Sequence, residues 1–204
     1  MEENQDFYKT IDTATEEVLF KDKNSKFFGY AYPVTTEEQI KDLLEDIKKQ
    51  HYNARHWCYA WQIGAETVQY RANDDGEPNN SAGMPIYGQI QSFEVTNVLI
   101  IVVRYFGGVK LGVPGLINAY RTTAQMALEN ASIVERTIDC TYKVNFEYKD
   151  IHHVMRIIKE KNLHIISQKM EITCEIIFSI RKSEAPACEQ AFTPFYEITL
   201  KKLS

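Results

Sequence analysis

The sequence predicts an α+β protein built from two domains, and three observations support this prediction. The chain has 204 residues, of which 44% are hydrophobic and 25% charged, a balance typical of globular proteins with one large or two small domains. Segments with apolar residues at helical spacing alternate with short β-rich segments. The charge balance changes near Ser132–Arg136, since residues 1–135 carry 19 acidic and 12 basic side chains and residues 136–204 carry 9 and 11. We therefore expect domains over residues 1–134 and 135–204.

The first domain is predicted to begin with a strand pair and a helix. Thr10–Phe20 carries β-forming residues of mixed polarity, and the aromatic-rich Ser25–Val34 is expected to pair with it. Thr35 and Glu38 match a capping box, in which the threonine accepts from the backbone N–H of Glu38. A helix over Thr36–Gln50 should follow, and its single buried stripe is formed by Ile40, Leu43, Leu44 and Ile47.

The rest of the first domain contains a turn-rich loop, a buried strand and a long helix. Asn73–Gly83 is dense in turn-forming residues and predicts a loop. The continuous β-branched run Asn97–Tyr105 is typical of a strand buried on both faces. A glycine-rich turn over Gly107–Gly112 follows, and Pro114 suits the first turn of a helix over Pro114–Asn130. The shorter predicted elements are strands over Trp57–Ile63 and Thr67–Ala72 and a helix over Met84–Ser92.

The second domain shows the order β-α-β-β-α-β, which is typical of a ferredoxin-like fold. Asp150 is placed to cap the first helix of this domain, which should end near Asn162. The second helix is predicted over Ser183–Phe192. The predicted strands are Ile138–Phe146, His164–Met170, Ile172–Ile180 and Tyr196–Leu200.

Charge, hydropathy and cysteine usage exclude several classes of protein. The net charge of −5 argues against a protein that binds specific duplex DNA, because such proteins usually carry a basic surface. The longest aliphatic run is Val98–Val103, far short of the ~20 residues that cross a bilayer. The 4 cysteines form no C-x-x-C pair, and no signal peptide is evident at the start of the chain. We expect a cytoplasmic protein with reduced thiols, no cofactor, no metal site and no membrane partner.

The segment Ile101–Leu116 has the features of an anion-binding loop. Its glycines permit close backbone approach, and the helix that follows presents unpaired N–H groups. The stretch Val95–Leu128 contains no acidic residue, so its three cations create a local positive field. Walker and G-x-G-x-x-G motifs are absent, and a tight connection with glycines serving packing alone is the alternative. The candidate anion- or nucleic-acid-binding residues are Arg104, Gly107, Gly108, Lys110, Gly112 and Arg121.

A second candidate segment is acidic. Asp74, Asp75 and Glu77 lie within four residues and offer oxygen ligands to a divalent cation, although the spacing is not that of an EF-hand. The favoured interpretation is a supporting role, in which these carboxylates pair with Arg71 or Arg104 and fix the basic loop. We therefore expect the acidic and basic loops to be neighbours in space.

Four further residues are weaker candidates for a site. His56 and Cys58 lie two residues apart on a predicted strand, but no third group is evident to orient a catalytic pair. We expect His56 to hydrogen-bond a loop and Cys58 to pack. Arg71 and Tyr105 complete the candidates, and no catalytic residue is assigned.

Five distinctive motifs lie in the first domain: ARHWCYAW (Ala54–Trp61), DDGEP (Asp74–Pro78), SAG-x-P (Ser81–Pro85), RYFGG-x-K-LG (Arg104–Gly112) and GL-x-x-AY (Gly115–Tyr120). Through these motifs the chain resembles, from about Phe20 to Asn130, the Impact family, and specifically its bacterial YigZ branch. Asn79-Asn80 and Pro114 depart from the common pattern of that family, and Pro114 removes one N–H from the candidate anion loop.

The resemblance implies a fold and a class of function. The N-terminal domain should be similar to the second domain of ribosomal protein S-five and to domain four of elongation factor G. The C-terminal domain should be similar to the last domain of that factor. Eukaryotic relatives are translational regulators that bind the general-control activator protein and restrain the amino-acid-starvation kinase. Regulation of translation or of a stress response therefore transfers as a class, without the partner.

Three hypotheses of function follow. The leading one is a non-enzymatic binding module that contacts RNA or a ribosome-associated partner. The alternative is an enzyme that acts on a phosphorylated small molecule in a cleft between the segments Asp74–Glu77 and Arg104–Lys110. The third is a protein–protein adaptor that uses exposed aromatic residues.

Overall fold

The computed structural model describes residues 6–203, and they form an α+β protein of two compact units, as the sequence predicts. The first unit is Tyr8–Arg136. The second unit comprises the residues of 137–204 and of 1–7 that the structure describes. Each unit has its own hydrophobic core.

The first unit contains a five-stranded antiparallel sheet and three helices. The strand order is β2-β3-β6-β4-β5, and a separate two-stranded sheet joins β1 to β7. The strands are β1 (Phe7–Ile11), β2 (Val18–Asp22), β3 (Ser25–Pro33), β4 (His56–Ile63), β5 (Gln69–Asn73), β6 (Val98–Tyr105) and β7 (Ile133–Thr137). The helices are α1 (Glu37–Gln50), α2 (Gly83–Ser92) and α3 (Gly112–Glu129).

Strand β6 lies at the centre of the five-stranded sheet and organises two cores. Residues Val98–Val103 are fully buried, which confirms the prediction from the β-branched run. Val98, Ile100 and Val102 pack with α2 and α3, whereas the alternate residues Leu99, Ile101 and Val103 pack with α1. This alternation continues to the end of the strand and assigns opposite faces to Arg104 and Tyr105.

Two predictions for the first unit were wrong, and one strand was not predicted. The single strand over Thr10–Phe20 is instead two strands in different sheets, because the polar residues between β1 and β2 interrupt it. Strand β7 was not predicted, since four of its five residues are exposed and leave no apolar period. The cap of α1 is Thr36, whose Oγ1 accepts from Gln39 N at 3.3 Å. The Gln39 side chain in turn accepts from the backbone N–H of Thr35, so the box is shifted by one residue.

The second unit has the predicted order β-α-β-β-α-β. Its four-stranded antiparallel sheet has the order β11-β8-β10-β9, and 3-10 turns at Tyr148–Asp150 and Lys182–Glu184 precede the helices. Asp150 precedes the first helix as predicted, but its side chain makes no capping hydrogen bond. The elements are β8 (Asp139–Glu147), α4 (Ile151–Glu160), β9 (His164–Lys169), β10 (Thr173–Arg181), α5 (Ala185–Phe192) and β11 (Thr199–Lys202).

The four cysteines are all buried as free thiols. Cys58 belongs to the first unit, and Cys140, Cys174 and Cys188 belong to the second. Burial raises the pKa of the Cys58 thiol, and it raises the pKa of Cys188 to about 11. Within residues 6–203, no helix is long and apolar enough to cross a membrane.

Candidate functional site

The acidic and basic loops meet at the end of β6, which confirms that they are neighbours. Arg104 Nη1 lies 2.7 Å from Glu77 Oε1, and the two side chains are only 6% and 4% exposed. The carboxylate that meets the arginine is thus Glu77 and not that of Asp74 or Asp75. A buried ion pair of this kind is sensitive to the loss of one partner, because the remaining charge is left without compensation.

Tyr120 fixes the same carboxylate from α3. Its hydroxyl donates to Glu77 Oε1 at 2.8 Å, and it accepts from the Cys58 thiol at 3.4 Å. The thiol also lies 3.0 Å from the carbonyl oxygen of Asp74. Burial raises the pKa of Tyr120, so the phenol remains a donor. This contact was not predicted, although Tyr120 is the last residue of the GL-x-x-AY motif.

Arg104 retains an unsatisfied donor beside this ion pair. Its guanidinium lies between the rings of Phe27 and Phe106, with its central carbon 5.6 Å from each ring centroid. Its Nε is buried and has no hydrogen-bond partner among the described residues. Buried N–H groups of this kind normally have a partner. Arg104 Nε is therefore an unsatisfied donor in the described part of the structure.

The other two carboxylates of the acidic loop serve the backbone. The Asp74 carboxylate accepts from the N–H groups of Asn80, Ala82 and Gly83 at 2.8–2.9 Å, at the start of α2. The Asp75 carboxylate accepts from Trp57 N at 2.7 Å. Both carboxylates therefore stabilise the conformation of the loop.

The acidic loop is also held in a strained conformation. Asp75 and Asn80 have φ angles of 42° and 59°, in the left-handed region that non-glycine residues rarely adopt. His56 Nδ1 lies 2.9 Å from the carbonyl oxygen of Asp75, and Cys58 is fully buried, which confirms the roles predicted for both. Among residues 6–203, no group of three or more His, Cys, Asp or Glu side chains is arranged to hold a metal ion.

A cleft of about 390 Å³ opens where the two loops approach α3. Leu111 precedes this helix, and no side chain caps the first backbone N–H groups of α3. Pro114 lies in this first turn and has no N–H to offer. The cleft is lined by Glu77, Pro78, Arg104, Phe106, Lys110, Leu111, Gly112, Val113 and Leu116. It therefore combines two cations and a helix N-terminus with an apolar wall.

The three glycines of the basic loop have different roles. A Cβ atom at Gly107 would lie 2.1 Å from the backbone of Asn24, so this glycine is required for packing, as the alternative interpretation held. Gly108 has a φ of 86° and open space around it. Gly112 has a φ of 71° and begins α3. Both positions need the conformational freedom of glycine, and both leave the backbone accessible.

The remaining candidate residues lie elsewhere. Arg121 is exposed on α3 and is not among the residues that line the cleft. Arg71 is exposed on β5. Tyr105 points to the α1 face of the sheet, where its hydroxyl lies 3.1 Å from His51 Nδ1. The structure thus brings Arg104, Lys110 and Gly112 together.

Comparisons with known proteins agree with the resemblance that the sequence motifs indicate. The model of the Impact N-terminal domain matches residues 23–128. The chain is 38% identical over 131 residues to IMPACT family member YvyE of Bacillus subtilis, which covers 64% of this chain and 60% of that protein. It is 31% identical over 157 residues to IMPACT family member YigZ of Escherichia coli, which covers 76% of this chain and 75% of that one.

A solved structure shows the same fold over nearly the whole chain. It is described as the crystal structure of an hypothetical protein, and it covers 98% of this chain and 98% of its own. The TM-score is 0.74 and the sequence identity is 23%. The likeness therefore extends to both units, whereas the family model matches the first.

Proposed function

This chain belongs to the Impact family, and we propose that it acts as a non-enzymatic binding module in translation or in a stress response. The contact that we propose is with RNA or with a ribosome-associated partner, through the cleft at the end of β6. The resemblance to translational regulators described above supports the class of function. The contacts of the cleft support the chemistry.

The observation that carries the proposal is a difference between the acidic and the basic side chains around the cleft. The carboxylates of Asp74, Asp75 and Glu77 are each bound by other groups of the protein. Lys110 is exposed, and Arg104 keeps a buried Nε without a partner among the described residues. A phosphate group in the cleft supplies negative charge to both cations that line it, and the N-terminus of α3 favours the same ligand.

An enzyme acting on a phosphorylated small molecule is the second candidate, since the volume of the cleft would admit one. The engagement of all three carboxylates argues against it, because each of them already accepts hydrogen bonds from other groups of the protein. Turnover of phosphorylated compounds that depends on Glu77 would favour this candidate over the binding module.

We also propose the finer likenesses of fold. The strand order β11-β8-β10-β9 supports a ferredoxin-like domain over residues 135–204, similar to the last domain of elongation factor G. The division between compact units lies within two residues of that boundary. The preceding domain would be similar to the second domain of ribosomal protein S-five. Four buried free thiols support a location in the reducing cytoplasm.

Titration with single-stranded RNA at several salt concentrations tests the proposed function. Each phosphate contact with a single strand contributes about 0.7 to the slope of log affinity against log salt. We expect Lys110→Ala to flatten that slope by roughly this amount, with little change in sequence preference. Lys41→Ala is the matched control, since this lysine is exposed on α1 and does not line the cleft.

Two outcomes would contradict the RNA contact. One is an unchanged slope for Lys110→Ala, and the other is no binding of RNA even at low salt. Crosslinking in a cell lysate then separates a ribosome-associated protein partner from RNA. Loss of that crosslinked protein in Lys110→Ala, with retention in Lys41→Ala, would assign the cleft to the protein partner.

A further inference from the structure

We propose that a second pocket, on the α1 face of the five-stranded sheet, binds the base of a nucleotide. The inference goes beyond the proposed function, because it concerns different polar groups and a ligand that need not be part of an RNA strand. The pocket has a volume of about 400 Å³. It is lined by Asn24, Lys26, Phe28, His51, Tyr105 and Phe106.

A chain of hydrogen bonds fixes the polarity of this pocket. The Tyr30 hydroxyl donates to the Glu17 carboxylate, which can only accept. The Tyr30 oxygen lies 2.5 Å from His51 Nε2, so it accepts the proton that this nitrogen carries. His51 Nδ1 then has a lone pair, and it accepts from the Tyr105 hydroxyl at 3.1 Å. Burial lowers the pKa of His51, which keeps the imidazole neutral as this arrangement requires.

This chain of donors determines what Tyr105 offers to a ligand. The proton of its hydroxyl is directed at His51, so the oxygen presents its remaining lone pair to the pocket. A ligand must therefore supply an N–H or O–H donor at that point. His51 is only 7% exposed, and both of its ring nitrogens are already engaged. The imidazole acts as a positioning group and does not contact the ligand through its nitrogens.

The other walls specify a planar ring with a negative charge attached. Phe28 packs against Tyr105 at 5.6 Å between ring centroids, and Phe106 is 52% exposed. These surfaces suit stacking with an aromatic ring. Lys26 lies directly opposite Tyr105 in the β3–β6 ladder, and its exposed ammonium suits an anionic group. A nucleotide combines the three properties, because its base is a planar ring with an N–H donor and its phosphate is negatively charged.

Binding of nucleoside monophosphates to the full chain tests the proposal. Probes are AMP, GMP, CMP and UMP, each with its nucleoside, and inorganic phosphate, followed by calorimetry or by NMR shifts of residues around the pocket. We expect at least one nucleotide to bind more tightly than inorganic phosphate. Tyr105→Phe should weaken that nucleotide about tenfold, since it removes the acceptor and keeps the ring. Tyr148→Phe, an exposed tyrosine of the second unit, is the matched control.

A second variant separates the phosphate from the base. Lys26→Ala changes an exposed side chain and should leave the fold intact. It should weaken the nucleotide and leave nucleoside binding unchanged. The proposal is overturned if none of the four nucleotides binds, if inorganic phosphate binds as tightly as they do, or if both variants bind like wild type. Lys110→Ala should leave nucleotide binding unchanged, so this proposal and the RNA contact at the cleft can fail separately.

Discussion

Arg104 and Tyr105 are consecutive residues of β6, yet they anchor two sites of opposite electrostatic character. Arg104 faces α2 and α3, where its charge is compensated by the buried Glu77 carboxylate. Tyr105 faces α1, where it belongs to a chain of neutral groups that ends at Glu17 on the surface. One site depends on a buried ion pair, and the other depends on a histidine that must stay neutral.

The difference follows from the alternation of a β-strand, which directs successive side chains to opposite faces. The face with Arg104 needs a counter-charge because an unpaired buried guanidinium is costly. The face with Tyr105 needs only the correct direction of each hydrogen bond. Stability of the first site should therefore depend on its ion pair, and stability of the second should depend on pH.

The largest expected effect is the loss of the ion pair. Glu77→Gln should lower the free energy of unfolding by about 3 kcal/mol, because it leaves the Arg104 charge buried and uncompensated. Urea denaturation measures the change. Glu16→Gln, an exposed glutamate of the first unit, should stay within about 0.5 kcal/mol of wild type. Equal stability of the two variants would mean that Glu77 does not support the arginine.

A smaller effect is expected from the hydroxyl that binds the same carboxylate. Tyr120→Phe should lower the free energy of unfolding by about 1.5 kcal/mol, since it removes one hydrogen bond to a charged group and keeps the ring. The same urea experiment measures it, with Tyr148→Phe as a control. A loss well below that of Glu77→Gln is required if the guanidinium is the main partner of Glu77.

The site around Tyr105 should respond to pH. Burial lowers the pKa of His51, so below the ordinary histidine pKa of about 6.5 the unfolded chain binds more protons than the folded one. The contribution of His51 to the free energy of unfolding is therefore fully present above that pH. It is lost as the pH falls toward the lowered pKa, by at most about 1.4 kcal/mol per pH unit. His51→Gln should flatten this part of the profile between about pH 7 and about pH 5. Parallel profiles for the two proteins would exclude His51 as the source.

The smallest effect on stability should come from the exposed cation of the cleft. Lys110→Ala should change the free energy of unfolding by less than about 0.5 kcal/mol, because its side chain is exposed and packs little. A loss comparable to that of Glu77→Gln would show that Lys110 belongs to the scaffold and not to the contact surface.

The fold was predictable where the apolar pattern is long. The buried run of β6 and the apolar stripe of α3 each have one interpretation, and both elements lie close to their predicted bounds. Strands β1 and β7 are short and pair across more than a hundred residues of sequence. They are defined by their pairing with each other, and a search for local periodicity does not detect them.

The site was predictable in its loops and not in its partners. The sequence predicted that carboxylates of the acidic loop pair with Arg71 or Arg104, but the three acidic residues of the loop look alike in the sequence. Asp75 and Asn80 adopt left-handed conformations on either side of the buried Glu77, and sequence pattern does not encode that geometry. His51 was missed because it follows α1 as a single residue, and its partners come from three distant segments.

The distribution of the buried cysteines makes each unit separately observable. A thiol reagent cannot reach these side chains in the folded protein, so its reaction reports opening of the surrounding core. Cys58 is the single thiol of the first unit, whereas the second unit contributes three. Mass spectrometry after a pulse of alkylating reagent in increasing urea measures how many cysteines are alkylated. It would therefore report the unfolding of each unit in the same molecule. Two midpoints, one for a single added mass and one for the remainder, would mark two independently folding bodies in unmodified protein.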